Sequence, residues 1–175
     1  MSVRKIEVAD EAAILGSNDS ILRTRCLHVG AIDEYVKTVI QDLKDTLRSD
    51  TLSVGLAAPQ IGYNLSIAVI NLDKMNNSED IVLINPVVKS ESGQLDVKYE
   101  SCMSIPHKKG KVKRRKKIAL IYMDVDGKER ELISSGFEAR VILHEIDHLN
   151  GVLFVDRMEE GATLEDTDLF RTHGI

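Results

Sequence analysis

The stretch FEARVILHEIDHLNG, residues 137–151, spaces Phe137, Val141, Ile142 and Ile146 at three- and four-residue steps and closes on a glycine. That pattern predicts a helix ending at Gly151. Two of the chain's five histidines lie on it. Residues four apart share one face of a helix, so His144 and His148 can aim at one ion while Glu145 reaches a water beside it. Histidines near a helix C-terminus are also favoured simply by the helix dipole. A metal reading therefore needs a third ligand. Downstream the candidates are Glu159, Glu160 and His173; upstream it is Cys102, in YESCMSIP, flanked by turn-forming residues at what reads as a strand end.

Outward from this helix, the segment AIDEYVKTVIQDLKDTLRSD repeats apolar residues at helical spacing, which predicts a helix from Ile32 to Ser49. VGLAAPQIG is punctuated by glycines and a proline. SIAVINL and IVLINPVVKS, rich in Ile and Val, read as strands, with the polar loop DKMNNSED between them. Asp126-Gly127 divides KKIALIYMDVDGKERELISS into the two halves of a hairpin. An early amphipathic helix, several strands and a late helix make an α+β architecture, with mixed or antiparallel sheets packed around the helix that carries H-E-x-x-H.

The chain has 175 residues, 43% hydrophobic and 29% charged. A single domain over 1–175 is expected, with its acidic end, 159–175, mobile. No apolar run approaches the length of a membrane span, so no membrane partner is expected. The N-terminus lacks the apolar core of a secretory signal, which points to the cytoplasm. Cys26 and Cys102 are too few for a disulfide framework. A net charge of −5 argues against a molecule built around nucleic acid, and no sequence-specific DNA partner is expected. One local exception is HKKGKVKRRKK, where every residue from Lys108 to Lys117 except Gly110 and Val112 is basic.

Three segments, VGLAAPQIG, ESCMSIP and HEIDHLNG, together resemble the three signature motifs of the peptide deformylases, in the same order. The similarity runs from the first helix to LFVDRM, residues 153–158. The resemblance implies that Cys102, His144 and His148 bind one divalent metal with water in the fourth position. It implies Fe2+ in the cell, with Zn2+, Ni2+ or Co2+ able to replace it in purified protein. The implied reaction is hydrolysis of the formyl group from formyl-methionyl nascent peptides, releasing formate. The metal-bound water would attack the formyl carbon, with Glu145 as general acid and base. The side-chain amide of Gln60 and the backbone N–H of Met103 would hold the developing oxyanion. Gly55 would let the substrate backbone approach, and Val54, Phe137, Val141 and the stem of Arg140 would form the methionine pocket. Leu56, Ala57 and Ala58 are expected to shape packing.

Some positions depart from the common family pattern. Ser53 and Ser101 stand where glycine is usual, which puts fine positioning of Cys102 and substrate in question. Leu143 stands for a glutamine, and Met103 for a leucine. Arg114 is the expected partner of Asp147, and Glu100 is expected to orient a ligand or its loop. The basic run reads either as a solvated strand face or as a contact with ribosomal RNA. Three rivals remain: a metallopeptidase using the same residues, a binding protein working through the basic strand, and a closed structural metal site.

Overall fold

Short apolar runs too small to cover themselves must pair, and they do. In the computed structural model, which describes residues 2–17, 20–73 and 78–168, six strands form one antiparallel sheet: β1 (Gly55–Ala57), β2 (Ile67–Ile70), β3 (Ile81–Cys102), β4 (Ile105–Met123), β5 (Glu129–Ser135) and β6 (Glu165–Asp166). The order is β1-β2-β3-β4-β5, with β6 added to β4. The helices are α1 (Glu11–Ile14), α2 (Glu34–Ser49) and α3 (Gly136–Leu149). This is the expected α+β architecture, with the sheet around α3.

β3 and β4 are much longer than the apolar runs that announce them. They form a hairpin whose register shifts at Ile84/Val87, Val88/Ser90, Ser92/Leu95 and Ser101/Cys102. Each such irregularity bends the ladder and raises its twist, which lets a long hairpin curve. Its middle carries charge on much of its surface, so neither a continuous apolar run nor simple alternation marks it. The Asp126-Gly127 turn is where the sequence places it: Gly127 has φ 77°, and Asp124 Oδ1 accepts the N–H groups of Asp126 and Lys128.

α2 starts two residues later than its apolar spacing suggests. Asp33 Oδ1 accepts the Val36 N–H at 2.9 Å and so caps the first turn, leaving Ile32 outside the helix but packed on the core. The apolar face of α2, from Val36 to Leu47, packs on Leu56, Ile67, Val69 and Ile84. On the other side of β2, Ala139, Ile142 and Ile146 of α3 meet Ile70, Leu83, Ile118 and Leu120. A third cluster, around Phe154, joins Leu22, Ile105 and Val112 to Cys102. α3 is buried along most of its length, from Ala139 to Leu149.

The described part of the acidic end meets the basic strand. Glu165 and Asp166 pair with Lys109 and Lys108 of β4, and the Thr167 N–H donates to the His107 carbonyl. Residues 169–175, including His173, and residues 74–77 of the DKMNNSED loop lie outside the described residues. Among the described residues no helix is long and apolar enough to cross a membrane.

Gly151 ends α3 as its sequence position suggests, with φ 71° and its N–H on the His148 carbonyl. A Cβ there would stand 2.5 Å from the Arg23 carbonyl oxygen, a backbone atom that cannot swing aside. Gly151→Ala therefore combines left-handed strain with overpacking, and should cost about 2–4 kcal/mol. Urea unfolding monitored by circular dichroism is the check.

Candidate metal centre

β3 ends at Cys102, where a tight turn leads to Ile105, its partner across the hairpin. The turn delivers the thiol to the face of α3 that carries His144 and His148, whose ring centroids are 5.0 Å apart. One ligand atom from each of Cys102, His144 and His148 lies within 4.8 Å of the others. Among the described residues this is the group able to hold a metal, and Glu159 and Glu160 do not join it.

Each ligand is held differently. Cys102 Sγ lies 3.2 Å from His148 Nε2 and accepts from the Ser104 N–H at 3.4 Å and from Gln60 Nε2 at 3.3 Å. The orientation of Gln60 follows from its other end: Oε1 accepts the Ala57 N–H, which can only donate, so Nε2 must face the sulfur and Ser104 Oγ. His144 Nδ1 sits 3.0 Å from Glu100 Oε2, as expected for a carboxylate that orients a ligand. His148 Nδ1 is buried and has no partner among the described residues.

Behind the ligands lies a buried charge cluster. Arg114 donates through Nε and Nη2 to the two oxygens of Glu100 at 2.7 and 2.9 Å, and through Nη1 to Asp147 at 2.8 Å. The Arg114–Asp147 pair is the one the sequence suggests. Arg157 adds a second bond to Asp147. Sequence reasoning placed the stem of Arg140 at the pocket but missed its head, which donates to Glu100 Oε1 at 2.7 Å and to the carbonyls of Val112 and Asp96. Its position four residues before His144, on the same helix face, was the available signal.

A cavity of about 240 Å³ opens beside these groups. Val54, Gly55, Gln60, Met103, Phe137, Val141, Glu145, Cys102 and His144 all line it, as do Leu52, Tyr99 and Arg140. His148 is fully buried behind the lining. Phe137 is 63% exposed, so it stands on the rim rather than in the core. The reason for Gly55 is visible: a Cβ there would lie 2.5 Å from Glu145 Oε1. Its neighbour is thus the Glu145 carboxyl. Ser53 and Ser101 are absent from the non-glycine residues with positive φ, so neither departure forces left-handed strain.

The electrostatics follow from burial and pairing. Burial raises the Glu145 carboxyl to about 7, and its Oε2 has no partner among the described residues. Burial also opposes ionisation of Glu100, yet Arg114 and His144 outweigh it and hold that carboxyl well below its usual range. Burial, reinforced by His144 and Arg114, keeps the His148 ring neutral. For His144 burial works toward the neutral ring, but bonds to Cys102 and Glu100 prevail and raise its pKa. A thiol and two imidazoles converging in a buried pocket fit a divalent transition metal.

Because Glu100 is depressed when folded, it contributes stability that is fully present above its unfolded pKa of about 4.3 and is lost as pH falls below that value. Arg114→Met should cost about 3–5 kcal/mol at neutral pH and flatten this acid dependence, since Glu100 and Asp147 are left buried without their main cation. Denaturant melts between pH 3 and 7 measure both effects.

A family model described as "Polypeptide deformylase" matches residues 12–163. The chain is 38% identical over 147 residues to "Peptide deformylase" of Microchaete diplosiphon, covering 83% of this chain and 78% of that one. It is 39% identical over 153 residues to "Peptide deformylase 2" of Gloeobacter violaceus, covering 87% and 81%. Its fold matches the crystal structure of a peptide deformylase from Synechococcus elongatus in complex with actinonin, with TM-score 0.78 and 34% identity over 92% of this chain and 81% of that one.

Proposed function

The chain belongs to the peptide deformylase family, metal-dependent hydrolases that remove the N-terminal formyl group from nascent peptides, and from that premise we propose how its own residues divide the work. The observation that carries the proposal is Glu145, buried with a raised pKa in the same cavity as the Cys102–His144–His148 group. Residues 1–175 are taken as one catalytic domain.

Cys102, His144 and His148 are the proposed metal ligands, with Fe2+ as the cellular metal and Zn2+, Ni2+ or Co2+ fitting the same donors. A cation held there supplies Lewis acidity, acidifying a water and polarising the formyl carbonyl. Glu145 takes the proton of the attacking water on its carboxylate. A carboxyl near 7 holds that proton at neutral pH and returns it to the amine leaving group, so one residue serves both steps. Gln60 Nε2, whose two hydrogens go to Cys102 Sγ and Ser104 Oγ in this structure, would turn one of them to the formyl oxygen and with the Met103 N–H stabilise its negative charge. Val54, Val141, Phe137 and the Arg140 stem receive the methionine side chain, and Gly55 leaves room both for Glu145 and for the substrate backbone. Such a substrate arises at the ribosome, which supports a cytoplasmic setting. The solvent-facing cations of the run from Lys108 to Lys117, with Arg114 buried and excepted, are the surface the protein offers to that anionic particle.

Formate release from formyl-Met-Ala-Ser, measured anaerobically on iron- or nickel-loaded protein, is the test. Glu145→Gln should lower kcat by about 10²–10⁴ while the protein still binds one metal by elemental analysis. Gln60→Leu should lower it by about 10²–10³. Full activity in Glu145→Gln would remove Glu145 from the proposed role. Gly55→Ala should lose activity for a different reason, by displacing the Glu145 carboxylate, and a structure of that variant would show the shift.

A further inference from the structure

A cavity of about 240 Å³ has room for one side chain and a one-carbon acyl group, so the residues that follow must leave across its rim. Tyr99 lines that rim and is 46% exposed. Residues paired across an antiparallel ladder project on the same face. Here Tyr99 is paired with Lys111, Val97 with Lys113 and Leu95 with Arg115. The outward face of the hairpin is therefore an exposed apolar column beside a column of cations. Lys111 of this column and Lys109, two residues before it on the same face, reach the rim itself, with Nζ 5.6 and 4.7 Å from the Tyr99 ring centroid. The inward face is occupied: Glu100 and Arg114 are bonded to each other beneath it, so the outer cations do not serve the buried cluster.

What rests on this ledge is acidic peptide, supplied by the chain itself. Tyr99 Oη donates to Glu165 Oε1 at 2.6 Å, Lys109 lies 3.8 Å from the other oxygen of Glu165, and Lys108 donates to Asp166 at 2.7 Å. The pairs are solvent-exposed, and such pairs are weak enough to exchange. The rest of the molecule carries net negative charge, so the ledge is a local attractive point beside the cavity mouth.

We infer that the ledge formed by Tyr99, Lys109 and Lys111 selects formyl-methionyl peptides with acidic residues soon after the methionine, and that Glu165 occupies the same ledge in cis. The inference rests on the deformylase reading for the direction in which substrate leaves the cavity. Its geometry, an acidic segment already seated on Tyr99, Lys109 and Lys108 with Lys111 beside the same ring, favours acidic peptide over nucleic acid as the occupant.

Two labelled peptides of equal length, formyl-Met-Ala-Glu-Glu-Ser and formyl-Met-Ala-Lys-Lys-Ser, test it by fluorescence anisotropy and by formate release. The acidic peptide should bind about 5–20-fold more tightly at low ionic strength, with the advantage shrinking toward equality near 0.5 M salt. Its gain in kcat/KM should reside in KM. The double variant K109Q/K111Q should bring the acidic-to-basic ratio close to one, and E165Q/D166N should tighten acidic-peptide binding about threefold by vacating the ledge. Equal or tighter binding of the basic peptide, or a ratio unchanged in K109Q/K111Q, overturns the inference. So does a result in which K109Q/K111Q weakens a short single-stranded RNA but leaves the peptide ratio intact. Binding is read apart from turnover, so a lack of formate release with the acidic preference intact would count against the reaction and not against the ledge.

Discussion

One guanidinium holds three elements together. Arg114 rises from β4 to grip Glu100 on β3 and Asp147 on α3, all three buried. Burying such charges costs several kcal/mol per ion, and only good geometry and extra hydrogen bonds offset it. Both conditions are met, by the bidentate Arg114–Glu100 pair and by the further donors Arg140 and Arg157. An apolar cluster of equal volume would serve stability as well. What it would lack is direction: Glu100 lies two residues before Cys102, and Asp147 lies between His144 and His148. The cluster therefore fixes the strand that bears the thiol against the helix that bears the imidazoles.

The same burial that makes the cluster expensive gives the centre its chemistry. Burial lets the Glu145 carboxyl keep a proton at neutral pH, and Gly55 is the residue whose missing side chain allows it to lie there. The two imidazoles are unlike each other. His144 is tied through Nδ1 to a carboxylate and is thereby more electron-rich, whereas His148 has no such anchor among the described residues. Cys102 is steadied by the Ser104 N–H and the Gln60 amide, so Gln60 touches both the sulfur and the cavity.

Much of this was legible in the residues. Periodicity gave α2 and α3, Asp126-Gly127 gave the hairpin turn, and motif order brought Cys102 together with histidines 46 positions away at most, a proximity that spacing alone cannot supply. The middle of β3 and β4 was not legible, because its alternation is obscured by cations on the open face and by Glu100 and Arg114 on the closed one. The N-cap of α2 was misplaced because apolar spacing marks a buried face and not a first turn. The pairing of Glu165 and Asp166 with β4 was hidden by composition: an acidic end reads as solvated until the basic strand it meets is placed beside it. The head of Arg140 escaped for a related reason, since a charged residue on a helix ordinarily points to water.

The ligands' origin has a consequence for how the protein comes into being. Cys102 sits at the tip of a long hairpin and its partners sit on a helix made later in the chain, so neither part contains a local metal-binding motif with all three donors. Closing that loop carries an entropic cost that only docking of β3 and β4 on α3 offsets. The donors converge only where β3, β4 and α3 are packed together. A metal that needed all three would therefore report, by being held, that strand, helix and buried charges have found one another.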